Sequence, residues 1–210
     1  TQWSMEENLA WNKAIPGGGW ASPIVVGKRI FITTAVDSKN TKPLGHAGGV
    51  RNMRGKKPTE PFDFKLICLN LEDGSTLWEK NIVQEQPEYA IHPSNTYSTE
   101  SPVTDGKHVL CYFATIGKIA AVSLKGKLAW TVNIGAFPSG NGFGTGSSLA
   151  LLEDTLFIQC DNDKDSFVVA LDTATGKEKW KRKRASKTSW SSPYIWKHKK
   201  RTDLVICGSR

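Results

Sequence analysis

Apolar positions along the chain fall into short runs punctuated by Gly, Asp, Asn, Ser and Pro. Val109-Leu110-Cys111-Tyr112-Phe113, Leu156-Phe157-Ile158 and Phe167-Val168-Val169-Ala170-Leu171 are typical. They are rich in β-branched and aromatic residues and none carries the 3.6-residue period of an amphipathic helix, so they predict strands. The runs recur as a unit. Trp20-Ala21-Ser22-Pro23-Ile24 opens one that ends at Leu77-Trp78, and Ser101-Pro102-Val103 opens a second that ends at Ala129-Trp130. Ser148-Leu149-Ala150 opens a third that ends at Lys179-Trp180, and Ser192-Pro193-Tyr194-Ile195 begins a fourth. Residues 1–18 read as the tail of an earlier unit, closing at Ala10-Trp11.

Each unit predicts four strands: Ser-Pro-apolar, a β-branched run, an alternating run ending in Asp, Asn or Ser, and a strand carrying Trp. Asp105-Gly106, Asp73-Gly74 and Thr175-Gly176 supply turn residues between them. A four-stranded antiparallel unit cannot bury both faces alone, so neighbours must stack, and radial stacking makes a β-propeller. The expected fold is all-β, with three whole blades and two partial ones over 1–210. The blades are read as 1–18 (partial), 19–83, 96–135, 142–184 and 188–210 (partial), with an inserted basic loop over 35–64.

Ala170-x-Asp172-x-x-Thr175-Gly176-Lys177-x-x-Trp180 resembles the tryptophan-docking motif of the pyrroloquinoline quinone (PQQ)-like β-propeller repeats. Asn70, Gly74 and Trp78 repeat it more loosely, and Ser123 to Trp130 is one residue short. The resemblance implies a structural, wedge-like role for Trp78, Trp130 and Trp180. It also implies a ring of seven or eight blades, so this chain reads as a fragment. The remaining blades would come from the same polypeptide or a second copy of the chain. Function is not implied, because the superfold serves alcohol and sugar dehydrogenases, assembly lipoproteins and sensor domains. An extracytoplasmic location, periplasmic or secreted, is implied by the resemblance alone.

Composition fits this reading. Nineteen Gly, ten Pro and eight Trp against two Met suit turns and sheets rather than helices. No stretch approaches the roughly 18 apolar residues of a membrane-spanning helix. The formal charge is +8, but residues 177–201 hold 11 basic side chains and one acid, leaving the rest of the chain near neutral. Lys181, Arg182, Lys183 and Arg184, with Lys199, Lys200 and Arg201, form this basic patch. It is read as protection of an exposed sheet edge or as a dock for an acidic protein, anionic lipid or polysaccharide; nucleic acid is not expected. Cys68, Cys111, Cys160 and Cys207 sit in apolar runs without metal spacing and are expected to be buried thiols.

Ligands of a propeller meet the loops joining one blade to the next. Those loops offer Trp20; His92, Asn95 and Tyr97; Asn141, Phe143 and Thr145; and Lys187 and Trp190 as candidates for a ligand or partner. Asp161, Asp163 and Asp165 have the spacing of half a Ca²⁺ loop but lack its Gly and its final Glu, so a polar turn is expected. No catalytic residue, metal site or cofactor is assigned. The expectation is a non-catalytic binding or scaffold module. The alternative is part of a PQQ- and Ca²⁺-dependent quinoprotein dehydrogenase oxidising alcohols or sugars; the chain lacks the adjacent cysteine pair that many such enzymes carry.

Overall fold

The computed structural model describes residues 2–44 and 55–209. Among the described residues fourteen strands lie in three four-stranded antiparallel sheets and one two-stranded sheet. Blade one contains β1 (Ile24–Val26), β2 (Arg29–Val36), β3 (Phe62–Asn70) and β4 (Thr76–Glu85). Blade two contains β5 (Val103–Thr104), β6 (His108–Phe113), β7 (Lys118–Ser123) and β8 (Leu128–Asn133). Blade three contains β9 (Ala150–Leu152), β10 (Thr155–Cys160), β11 (Phe167–Asp172) and β12 (Glu178–Lys183). The hairpin β13 (Tyr194–His198) and β14 (Arg201–Val205) follows. In every sheet the strands pair in sequence order, as an up-and-down blade requires.

The burial pattern follows from stacking. The middle strands β6, β7, β10 and β11 are buried on both faces because their blades have neighbours on both sides, and in blade one Trp11 and Ile15 cover the side of β3 that faces away from blade two. The fourth strand is the rim, and there exposure alternates in β8 and is nearly continuous in β12. The largest core cluster joins Leu110, Tyr112, Ile119 and Ala121 of blade two to Leu156, Ile158, Phe167 and Val169 of blade three.

The Trp of the fourth strand sits in the same local geometry in each full blade. In all three full blades the ladder skips the residue before the Trp: Leu77, Ala129 and Lys179 have no partner, while Trp78, Trp130 and Trp180 pair with Cys68, Ala121 and Ala170. Such a bulge re-aims the following side chain. Trp78 Nε1 donates to the Leu124 carbonyl at 3.3 Å and Trp130 Nε1 to that of Thr173 at 2.9 Å, each in the last turn of the next blade. Trp11, which closes the partial first unit, does the same to Leu71 at 3.0 Å. The motif turn in blade three is set by Asp172, whose carboxylate accepts the Thr175 N–H and hydroxyl; that hydroxyl bond lowers the Asp172 pKa. Trp180 packs on Phe157 with ring centroids 6.0 Å apart, in a cluster that includes Ile195 and Leu204 of the last hairpin.

A second junction runs through the first residue of each unit. Ser22 N–H donates to Ser101 Oγ, Ser101 N–H to Ser148 Oγ, and Ser148 N–H to Ser192 Oγ, each at 2.9 Å. This serine ladder ties four successive innermost strands together.

Three expectations need correction. Residues 2–15 form no strand; the segment instead lies against blade one through Trp11 and Ile15. Ala35 and Val36 belong to β2 and Phe62 to Phe64 belong to β3, so the insertion is 37–61; its His46, Arg51 and Arg54 lie outside the described residues. Cys68 and Cys111 are buried and Cys160 is half-buried, but Cys207 lies beyond β14 and is exposed.

Candidate functional site

The loops joining one blade to the next all lie at one end of the blades, together with the insertion between β2 and β3 and the loop between β10 and β11. We call this the top face. The loops are tied to each other by side chains. Asn95 Nδ2 donates to the Phe143 carbonyl at 2.8 Å, and Asn95 Oδ1 accepts the Thr96 N–H and the Thr99 hydroxyl. Trp190 Nε1 donates to the Gly144 carbonyl and Trp20 Nε1 to that of Ser94, both at 2.8 Å. Trp20 and Trp190 are equivalent residues, each two before a ladder serine.

These bonds fix an aromatic arc. His92 meets Phe143 edge-on at 5.6 Å between centroids, and Phe143 lies 6.2 Å from Trp190. Ser94 links the arc to Trp20, since its hydroxyl bonds His92 Nδ1 at 2.7 Å and its carbonyl takes the Trp20 indole N–H. Trp20, Phe143 and Trp190 remain 56%, 41% and 44% exposed although their loops are hydrogen-bonded in place. Four of the candidates, Trp20, His92, Phe143 and Trp190, therefore form one surface.

The others do different work. Tyr97 is buried in the core, 4.8 Å from Phe62, and burial pushes its phenol up to about 12. It also lines, with Lys42, Lys56 and His92, a cavity of about 210 Å³ between the insertion and the second blade's loop. Asn95 is a clasp between loops. Asn141 sits exposed in a short 3-10 turn with φ +56°. Thr145 turns its hydroxyl inward, and Lys187 is exposed beside Ser209.

The basic patch divides. Lys183 pairs with Phe167 at the top of blade three, whereas the Lys199-Lys200 turn closes β13 and β14 at the opposite end. Several of its charges are engaged: Lys181 Nζ stands 3.6 Å over the Phe167 ring, and Lys183 approaches Asp165 at 3.9 Å. Arg184 Nε binds Asp161 at 2.7 Å, where the carboxylate side chain is 0% exposed and Ser186 and Gln159 add further bonds. Arg184 is a partner for a buried acid rather than a free surface charge. Arg182, Lys199 and Lys200 are exposed.

The Asp161 to Asp165 segment is a turn. Asn162 Oδ1 accepts the Lys164 and Asp165 N–H groups, and Asp163 accepts Thr188. Among the described residues no three His, Cys, Asp or Glu side chains gather as a metal centre. Glu100 is buried beneath the loops; burial raises its pKa, against hydrogen bonds from Ala114 N–H and its surroundings.

A sequence model of the family described as outer membrane protein assembly factor BamB matches residues 4–189. No curated protein sequence matches the chain. Among solved structures, quinohemoprotein alcohol dehydrogenase from Comamonas testosteroni is similar, with TM-score 0.54 and 13% identity, over 82% of this chain and 22% of the enzyme. The quinohemoprotein alcohol dehydrogenase ADHIIG from Pseudomonas putida HK5 gives 0.49 and 18%, over 84% and 22%. BamB from Moraxella catarrhalis gives 0.39 and 16%, over 69% and 40%. The chain spans about a fifth of the length of the dehydrogenases it matches. The fold and the match over 4–189 agree: the chain belongs to the family described as outer membrane protein assembly factor BamB, one of PQQ-like β-propeller repeats.

Proposed function

We propose that this chain is the binding part of a non-catalytic scaffold propeller that works outside the cytoplasm and holds a protein partner on its top face. The aromatic arc of Trp20, His92, Phe143 and Trp190 carries the reading. Aromatic side chains are enriched at protein interfaces because they bury large areas at low entropic cost. Here the two indoles are held by bonds to neighbouring loops, so little ordering remains to be done on binding. The family description, an assembly factor, supports a protein partner. Lys187 stands exposed in the loop that carries Trp190 and adds positive charge there, which favours an acidic partner segment.

Placing a photo-crosslinking residue at Phe143 of the full-length protein in its native cells tests this, with Lys125 on the opposite end as control. Adducts with a defined protein from position 143 and none from 125 are expected; equal labelling removes the proposal. The quinoprotein reading is favoured only by the likeness in fold. Quinone absorbance and dye reduction by the full-length protein with PQQ and Ca²⁺ would establish it in place of the scaffold.

A further inference from the structure

Beside His92 the top face opens into the cavity of about 210 Å³, and its walls are of two kinds. Phe62, Ile91, Tyr97, Pro43 and Pro93 make one part apolar, while Lys42 and Lys56 make the other cationic, and no carboxylate lines it. Among the described residues no acid pairs with either ammonium. A cavity of roughly 150 Å³ with apolar walls holds benzene, so this one has room for a single large side chain.

The walls are held in place by the chain itself. Gly18 and Ala35 exchange backbone hydrogen bonds at 3.0 and 3.1 Å, and Leu44 N–H donates to the Pro93 carbonyl at 2.9 Å, which pins the outgoing limb of the insertion to the second blade's loop. On the returning limb Gly55 passes so near Ile91 that a Cβ would stand 1.6 Å from its carbonyl oxygen. The Tyr97 hydroxyl donates to the Tyr89 carbonyl at 3.4 Å. Lys42 Nζ donates to the carbonyls of Ile15 and Gly17, which fixes that ammonium and leaves one of its three donors uncommitted. A preformed apolar space with a fixed positive charge in its wall suits a group that is apolar at one end and anionic at the other. His92 belongs both to this wall and to the aromatic arc, where it meets Phe143 edge-on, so a segment lying along the arc reaches the cavity without a break.

We propose that this cavity anchors the acidic partner segment by taking one aromatic side chain, whose neighbouring carboxylates meet Lys42 and Lys56. The inference rests on the partner reading above for the source of that segment. The test is ¹⁹F NMR of the peptide acetyl-Glu-(4-fluoro-Phe)-Glu-amide titrated with the full-length protein. A saturable shift is expected. A competing peptide with Ala in place of the aromatic residue, or with Lys in place of both Glu, fails to displace it. Lys56 is exposed, so Lys56→Glu keeps the circular dichroism spectrum and weakens binding about 3–10-fold, while Lys125→Glu at the opposite end leaves binding unchanged. No saturable shift, equal competition by the Lys peptide, or unaltered affinity in Lys56→Glu overturns the proposal. Adducts from position 143 without peptide binding sink this inference and leave the partner reading standing. Peptide binding that Lys56→Glu weakens, without adducts from position 143, upholds the cavity as a site for acidic aromatic peptide and removes the partner reading.

Discussion

Gly176 tests tryptophan docking quantitatively. Its φ is +71°, and a Cβ there would stand 2.6 Å from Trp130 Cε3. Gly106 has the same backbone class, φ +84°, but an added Cβ meets nothing within 4 Å. Gly106→Ala thus carries only the left-handed penalty, about 1–2 kcal/mol. Gly176→Ala carries that penalty and also displaces the indole. The displacement costs the 2.9 Å bond to Thr173, worth about 1 kcal/mol net, and local repacking of about 1–3 kcal/mol. The sum is roughly 3–6 kcal/mol, an excess of about 2–4 kcal/mol over the control. Urea unfolding followed by circular dichroism at 222 nm measures both variants. In a Trp130→Ala background the excess should vanish, because nothing is left to displace. Equal losses in the two glycine variants, or an excess that survives Trp130→Ala, would refute the wedge role of Trp130.

The remaining expectations concern other contacts. Arg184→Ala leaves the Asp161 carboxylate buried without its cation and should cost about 3–5 kcal/mol in chemical denaturation, whereas Lys183→Ala on the open rim should change stability by about 0.5 kcal/mol or less. Ser101→Ala removes the acceptor of the Ser22 N–H; a loss of about 1–2 kcal/mol is expected, with faster amide exchange at Ser22 than at Val109 in the core. Cys207 should react with a bulky thiol reagent in the native protein. Cys111 should not react before unfolding, since burial pushes its thiol up to about 12.

The repeat was legible because it is written in residue types that only one local structure accepts. Gly in the motif turn, Asp and Thr that bind within it, and a Trp at fixed distance identify the blade before any packing is known. The candidate site was half legible. Trp20 and Trp190 stood out as large residues in polar loops, and the structure joins them to Phe143 and His92. Tyr97 has the same appearance in sequence but faces the core, because the β3 residue Phe62 lies beneath it and offers an apolar partner. Arg184 looked like the end of a basic run; only the fold brings Asp161 to it.

The serine ladder has a consequence for how blades are addressed. Its three links are alike in donor, acceptor and length, so each step is interchangeable with the next. A fastening with identical teeth holds neighbours together but says nothing about which neighbour is correct. The information that distinguishes one junction from another must sit in what does not repeat. The shortened Ser123 to Lys127 turn, which lets Trp78 bind two residues before its glycine instead of three, is one such mark; the single Glu100 is another. Blades can thus be copied as units while their order is kept by a few odd residues.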